Sequence, residues 1–166
     1  MRHWLPLLLL ALIMLVGVGC GQSVNTDEPP KIVYGQDVCD RCTMIISEEK
    51  YAAAYWTETG EARRFDDIGG MLAHITTESE EVASYWVHDF ETAEWLRAEE
   101  ATYVTDGDLI TPMGFGIVAF ADEELAQAMA NNNEIVMIHS FADLLTMNIT
   151  MPGDHTHDSE EMEHMD

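Results

Sequence analysis

Residues 51–72 read Tyr51-Ala-Ala-Ala-Tyr-Trp-Thr-Glu-Thr-Gly60-Glu-Ala-Arg-Arg-Phe-Asp-Asp67-Ile-Gly-Gly-Met-Leu72, and this stretch decides the fold class. Two segments that we interpret as strands flank a tight turn closed by Gly60, which predicts a β-hairpin. Asp67 then stands before an apolar segment, where its side chain can accept the unpaired N–H groups of a helix's first turn. The stretch therefore predicts a ββα unit.

A second stretch resembles the first in the order of its features. Each has a methionine upstream, in Cys42-Thr-Met44 and in Thr111-Pro-Met113. Residues 116–121 correspond to the first predicted strand, and residues 134–145 to the second strand and the helix. Residues 122–133 lie between them, and their apolar pattern predicts an inserted helix. The sequence thus predicts an α+β fold in which two ββα-type units pack together, the second with an inserted helix.

The segments outside these two stretches complete the secondary-structure prediction. Residues 82–88 are rich in strand formers, Tyr103-Val104 predicts another short strand, and residues 92–101 predict a short helix. In the second unit Ser140 stands where Asp67 stands in the first. We therefore expect Ser140 to cap the last helix.

The N-terminus has the composition of a signal peptide. Arg2 precedes a 14-residue apolar run, which is shorter than the roughly 20 residues of a membrane-spanning helix and matches a signal-peptide core. Gly19 precedes Cys20, as in lipoprotein signals, although Gly17 stands where such signals usually carry Leu. We predict cleavage before Cys20 and lipidation of Cys20, which makes the mature chain extracytoplasmic and membrane-anchored. Ordinary secretion with cleavage elsewhere is the alternative.

These patterns divide the chain into five segments. Pro29-Pro30 and their polar neighbours predict a tether between the anchor and the fold. The segments are a signal peptide (1–19), a flexible lipid-anchored tether (20–31), the first unit with its connecting segment (32–106), the second unit (107–151) and a disordered, acidic tail rich in His and Met (152–166).

The charge of the chain narrows the classes of partner. The 166 residues include 31 Asp plus Glu against 7 Lys plus Arg, for a formal charge of −24. A phosphate backbone would be repelled rather than neutralised, so the composition excludes a general nucleic-acid binder. Metal ions and basic protein surfaces remain compatible partners.

Besides Cys20, the chain has two cysteines, which form the motif Cys39-Asp-Arg-Cys42 just before Met44. A structural or redox disulfide is one interpretation for paired thiols outside the cytosol. A thioredoxin-like oxidoreductase is another, with Thr111-Pro112 facing the pair. Zinc is a poorer match because the sequence has no second Cys pair.

Cu(I) is the interpretation that Met44 favours, because thiolate and thioether are soft ligands that match this ion. If the chain enters a strand at Cys42, Cys42 and Met44 point to one face. Met113 occupies the equivalent place in the second unit, and it would complete a three-sulfur site if the units pack with pseudo-twofold symmetry. For Met113 and Met71 the alternative is a role in filling the core.

Other candidate ligands lie in the tail and along the fold. His74, His88 and His139 lie in or beside apolar segments, and we predict structural roles for them. The tail could capture copper weakly and deliver it to the folded site. Its candidate ligands are His155, His157, Met162, His164 and Met165. The sequence shows no catalytic constellation, so we do not expect an enzyme.

Taken in order, four motifs resemble the NosL family, the copper-binding accessory lipoproteins of nitrous oxide reductase. The resemblance runs from about residue 37 to about residue 147, behind a lipoprotein-type signal. The motifs are Cys39-Asp-Arg-Cys42-Thr-Met44-Ile-Ile, Phe65-Asp-Asp-Ile-Gly-Gly-Met71, Val87-His88-Asp89-Phe90 and Thr111-Pro-Met113-Gly-Phe-Gly-Ile-Val-Ala-Phe120.

The resemblance implies a pair of ββα-type units, Cu(I) binding through the Cys-x-Met of the first unit, and copper delivery to the reductase and its copper-assembly apparatus outside the cytoplasm. Carried over to this sequence, it points to Cys42 and Met44 as ligands, with Met113 as a further one. Cys39 is a further candidate ligand, although the Cys-x-Met core needs only Cys42. The His- and Met-rich tail is not a feature that family members need share.

Overall fold

The computed structural model describes residues 24–131, 136–147 and 149. Within these residues the chain forms seven strands and three α-helices, with two short 3-10 turns at Glu49–Tyr51 and Ala98–Glu100. In chain order the elements are β1 (Ala53–Thr57), β2 (Ala62–Phe65), α1 (Ile68–Glu78), β3 (Val82–His88), β4 (Trp95–Arg97), β5 (Thr102–Thr105), β6 (Ile117–Phe120), α2 (Glu123–Ala130), β7 (Met137–Ser140) and α3 (Phe141–Thr146).

The first unit has the predicted ββα arrangement. Strands β1 and β2 form an antiparallel hairpin, with Ala53 opposite Phe65. Gly60 has a φ of 84° in the turn, a conformation that glycine adopts at little cost. Asp67 caps α1 by accepting a hydrogen bond from the Gly69 N–H at 2.8 Å. Strands β3 and β4 extend the hairpin into a four-stranded antiparallel sheet with the order β2-β1-β3-β4.

The second sheet has three antiparallel strands in the order β6-β5-β7. The two strands of the second unit therefore flank β5 instead of pairing with each other. The inserted helix α2 lies between β6 and β7 in the chain, and this connection is long enough to pass β5. The capping box between Ser140 and Asp143 starts α3 directly after β7, as the sequence predicted. Together the two small sheets and their helices confirm the predicted α+β class.

The prediction of a helix over residues 92–101 is wrong. Trp95 to Arg97 form the edge strand β4, which pairs with β3. The Trp95 ring lies against the ring of His88, with 3.7 Å between centroids. Ala93 has a φ of 57°, and its N–H bonds to the Asp89 carbonyl. This tight turn sends the chain back along β3, so strand pairing outweighs the local helical pattern.

The two sheets meet where the loop after β3 contacts β6. Asp89 and Ala119 form a parallel bridge, and the Phe90 N–H donates to the Ala119 carbonyl at 2.8 Å. The Asp89 carboxylate also accepts a hydrogen bond from Ala121 N–H at 2.9 Å. A main core joins residues of both sheets, including the fully buried Tyr103. The units therefore share one apolar interior.

The end of the predicted tether lies against the first sheet. The Trp56 Nε1–H donates to the Glu28 carbonyl at 2.8 Å, and Arg64 Nε donates to the Lys31 carbonyl at 2.7 Å. Pro30 is buried between these two contacts. From Glu28 onward the segment is thus attached to the fold. Among the described residues, every helix is too short or too polar to cross a membrane.

Candidate metal centre

The two cysteines lie in the loop of a narrow β-ribbon formed by residues 35–46. A hydrogen bond from Cys39 N–H to the Met44 carbonyl (2.8 Å) closes the loop. Within it, Thr43 N–H donates to the Cys39 carbonyl at 3.0 Å, and Thr43 is left-handed with a φ of 62°. The motif is therefore a tight turn rather than the start of a strand.

This turn contradicts the prediction that Cys42 and Met44 share one face of a strand. Alternation of side chains requires extended backbone, and the left-handed Thr43 between them interrupts it. Cys42 is half-buried, whereas Met44 is 61% exposed. The two sulfur-bearing side chains thus occupy different environments.

Cys42 instead lies in a cluster with Cys39 and Asp66. The two thiol sulfurs and a carboxylate oxygen of Asp66 lie within 4.8 Å of one another, and both thiols are free. The Cys42 thiol donates to Asp66 at 3.4 Å, and the Cys42 N–H donates to the Cys39 sulfur at 3.5 Å. Both Cys39 and Asp66 are buried. This group of three could hold a thiophilic cation.

Asp66 was missed by the sequence analysis, although a signal for it existed. Asp66 and Asp67 are adjacent after β2, and one carboxylate suffices to cap α1. The second aspartate was therefore available for another role.

A pocket of about 290 Å³ opens beside Cys42. It lies between the ribbon, α1 and the loop that precedes β6. Its lining residues are Asp40, Arg41, Cys42, His74, Glu78 and Met113. The structure thus brings together the predicted Cys42 and Met113, from the first and second units, and does not bring Met44 into the same pocket.

Met113 is held close to the start of α1. A methyl group placed on Gly70 would lie 2.5 Å from the Met113 sulfur, so this sulfur rests directly on the glycine. The Met113 N–H donates to the Asp67 carboxylate at 3.0 Å. Both the backbone and the side chain of Met113 are therefore placed by the N-terminal turn of α1.

His74 lies one turn along α1 from Gly70 and lines the same pocket. Its ring packs against Phe65, with 5.1 Å between centroids. Burial lowers the pKa of His74, so the imidazole is neutral at pH 7 and able to coordinate a metal. We predicted a structural role for His74 because it stands in an apolar segment. Its contact with Phe65 fits that role, and its place in the pocket makes it a candidate metal ligand as well.

The pocket carries charges of both signs. Asp40 and Glu78 supply carboxylates, and Arg41 supplies a guanidinium whose buried Nε has no hydrogen-bond partner among the residues that the structure describes. The guanidinium offsets part of the negative charge that would attract any cation. The sulfur atoms of Cys42 and Met113 are then the features that would select the metal.

Other predicted residues lie elsewhere. Met71 is fully buried in the main core and does not line the pocket. His88 is buried, with Nε2 2.6 Å from the Tyr34 hydroxyl and Nδ1 2.7 Å from the Ala93 carbonyl. Because a carbonyl only accepts, Nδ1 is protonated and Nε2 accepts from Tyr34.

His139 contacts the Thr105 hydroxyl at 3.1 Å. Cys20, His155, His157, Met162, His164 and Met165 lie outside the described residues.

The two thiols should differ in reactivity. Cys39 is 1% exposed and burial raises its pKa to about 12, so it remains a protonated thiol at pH 8. Cys42 is half-buried and borders the pocket. We expect limited iodoacetamide to alkylate Cys42 in the reduced, metal-free protein and to leave Cys39 unmodified, as read by peptide mass spectrometry. Equal labelling of the folded protein would contradict this, and labelling in urea should modify both.

The fold and the pocket identify the class of the protein. It is a small α+β protein with two antiparallel sheets, in which Cys42 and Met113, from loops of different units, line one pocket. The NosL family model matches residues 30–146, and the chain belongs to the NosL family. The resemblance of the sequence motifs to this family is thereby confirmed.

Two relatives agree with this assignment. The chain is 27% identical over 135 residues to a copper-binding lipoprotein NosL of Stutzerimonas stutzeri, covering 74% of this chain and 71% of the relative. The fold of this chain is similar to the crystal structure of the copper chaperone NosL from Shewanella denitrificans, with a TM-score of 0.62 and 17% sequence identity. That similarity covers 69% of this chain and 93% of the solved one.

Proposed function

We propose that this protein is an extracytoplasmic Cu(I) chaperone rather than an enzyme. The observation that carries the proposal is that Cys42 of the first unit and Met113 of the second line the same pocket. A thiolate and a thioether together favour a soft monovalent ion over harder cations. Family membership supports the same function, since both relatives are named for copper.

Cys42 is the main ligand in this proposal, because its thiol borders the pocket and its thiolate would carry the charge that pairs with Cu(I). Met113 supplies the thioether from the second unit. Cys39 and Asp66 lie within 4.8 Å of the Cys42 sulfur and complete or support the coordination. Met44 is exposed next to the site in sequence, and we assign it to the capture of incoming copper at the surface.

Transfer to a partner requires that a new ligand reach the ion before the old ligands leave. The pocket is open to solvent, and Cys42 is only half-buried, so an incoming thiol, thioether or imidazole has access. Nitrous oxide reductase and its copper-assembly apparatus are the proposed recipients, on the basis of the family resemblance. The formal charge of −24 favours a partner with a basic contact surface.

We also propose that Cys20 carries the lipid anchor, which keeps the chaperone on the outer face of the membrane. The lipoprotein-type signal supports this, as does the name of the S. stutzeri relative. In the tail, His155, His157 and His164 are proposed as weak additional copper ligands.

A thiol-disulfide oxidoreductase is the second candidate function. It is favoured by one observation, that the free Cys39 and Cys42 sulfurs lie within 4.8 Å of each other. The two functions differ in what they require of the methionines. A redox enzyme would be indifferent to Met113, whereas a chaperone would lose affinity without it.

The test is an anaerobic Cu(I) titration of the reduced full-length chain in detergent against a chromophoric Cu(I) chelator. We expect one tightly bound Cu(I) per chain, weaker binding in Met113→Leu, and a smaller loss in Met44→Leu. Deleting residues 152–166 should leave the tight site intact. Binding no tighter than that of a free thiol, or unchanged binding in both methionine variants, would rule out the chaperone function and favour the redox alternative.

Gly70→Ala tests the position of the Met113 sulfur without removing it. The added methyl group would lie 2.5 Å from the sulfur, so the flexible end of Met113 must move. Alanine stabilises a helix interior by roughly 0.5–1 kcal/mol relative to glycine, and this gain opposes the cost of moving the end of Met113. The free energy of unfolding should therefore change little. We expect Cu(I) affinity to fall roughly 10-fold. Gly107→Ala is the control, since a methyl group there meets nothing within 4 Å. Unchanged affinity in Gly70→Ala would place the copper away from Met113.

A further inference from the structure

We propose that Asp67 is a positioning residue that holds Met113 at the copper pocket and thereby links the second unit to the metal site. The proposal rests on the proposed function and assigns Asp67 a role beyond capping α1. It is carried by the hydrogen bonds of one buried carboxylate that joins the two units.

Asp67 is 0% exposed and accepts hydrogen bonds at both of its oxygens. Oδ1 accepts from the Gly69 N–H at 2.8 Å, within its own helix. Oδ2 accepts from the Thr111 hydroxyl at 2.5 Å and from the Met113 N–H at 3.0 Å. Oδ1 therefore caps α1, and Oδ2 accepts its two hydrogen bonds from the loop that carries Met113.

A helix cap alone does not need this second set of contacts. Ser140 caps α3 by bonding to Asp143 N–H within the same turn. An asparagine at position 67 would keep one accepting oxygen but would turn an N–H₂ group toward a donor on the other side. An asparagine therefore cannot satisfy all three donors that surround Asp67.

The contacts of Asp67 determine the shape of the Met113 loop. Thr111 Oγ1, which donates to Asp67, also accepts from the Gly116 N–H at 3.2 Å. The Gly114 N–H donates to the Thr111 carbonyl at 2.9 Å. Met113 lies inside this closed loop, with its N–H on Asp67 and its sulfur against Gly70. Phe115 of the loop also packs against Gly69, so the loop stays near α1 without the carboxylate. It then loses the hydrogen bonds that fix the position of the thioether.

Asp89 offers a matched control for this role. It is 3% exposed and also joins the two units, since it accepts from Ala121 N–H at 2.9 Å and from Thr92 N–H and hydroxyl at 2.9 and 2.7 Å. It does not line the copper pocket. If loosening the contact between the two units were enough to lower Cu(I) affinity, substitutions of Asp67 and of Asp89 should lower it equally.

The experiment is a double-mutant cycle on the full-length chain, with Cu(I) affinity and urea unfolding measured for each variant. Asp67→Asn should lower Cu(I) affinity about 10- to 100-fold, the effect typical of residues that orient metal ligands. In a Met113→Leu background the same change should have no further effect, because there is no thioether left to position. Thr111→Val, which removes a single donor, should follow the same pattern with a smaller loss. Asp89→Asn should leave affinity unchanged.

X-ray absorption at the copper edge provides the second readout. In Asp67→Asn, the thioether contribution should be lost while the thiolate contribution of Cys42 remains. Additive losses in Asp67→Asn and Met113→Leu, or an equal loss in Asp89→Asn, would overturn the positioning role. If the unmodified protein bound no Cu(I), or if Met113→Leu bound it equally well, the proposed function itself would fail. The double-mutant cycle therefore distinguishes failure of the proposed function from failure of the positioning role.

Discussion

Replacing Cys42 by serine is expected to lower Cu(I) affinity by more than about 100-fold, beyond the range found when residues that only orient metal ligands are lost. The hydroxyl of serine is a hard ligand and stays protonated at neutral pH, whereas a thiolate binds Cu(I) strongly. The Cys42 thiol donates a hydrogen bond to Asp66, and Cys42 lines the same pocket as Met113. Competition with a Cu(I) chelator under anaerobic conditions measures the loss.

Cys39→Ser is the matched control for that substitution. Cys39 belongs to the same cluster, yet it is buried behind the loop and does not line the pocket. Because Cys39 only completes or supports the coordination, we expect Cys39→Ser to lose clearly less Cu(I) affinity than Cys42→Ser. If Cys39→Ser abolished binding and Cys42→Ser preserved it, the assignment of the main ligand would be reversed.

Phe65→Ala should destabilise the fold by about 3–5 kcal/mol, which is typical of removing a buried aromatic side chain. Phe65 is 0% exposed and stacks on Tyr55, with 5.6 Å between ring centroids. It also packs against His74 and directly precedes Asp66, so the core and the metal site share this side chain. Urea unfolding followed by tryptophan fluorescence measures the change.

Leu145→Ala serves as the control for Phe65→Ala, because Leu145 is 44% exposed on α3. Its effect should stay within about 0.5 kcal/mol, as for most surface substitutions. If Phe65→Ala lowered the free energy of unfolding by less than about 1 kcal/mol, this part of the core would have to repack around the missing ring. The contacts around His74 would then contribute little to the stability of the fold.

Features encoded by a few neighbouring residues could be predicted from the sequence. The β1–β2 hairpin follows from the turn at Gly60, and the helix starts follow from Asp67 and Ser140, all of which act within their own segments. The edge strand at Trp95 could not be predicted in this way. Its formation depends on pairing with β3 and on contact with His88, neither of which leaves a local pattern.

The candidate site was predicted in part. From the similarity of the two units we predicted that Met113 of the second would approach Cys42 of the first, and both residues line one pocket. The role predicted for Met44 assumed an extended chain, which the left-handed Thr43 interrupts. Asp66 was missed and His74 was predicted to be only structural. The approach of Asp66 to the two cysteines and the place of His74 at the pocket both depend on how α1 and the residues before it pack against the cysteine loop, which is a tertiary contact.

The attachment of Glu28 to Trp56 limits how far the protein can stand from the bilayer. The chain takes eight residue-to-residue steps from Cys20 to Glu28, and at about 3.5 Å per step these reach ~28 Å at most. With Cys20 acylated as proposed, the first sheet is confined to a thin layer above the lipid headgroups. Copper exchange would then occur by lateral encounter with other membrane-bound proteins, for which this confinement raises the effective concentration. A freely diffusing acceptor would have to enter that layer to be loaded.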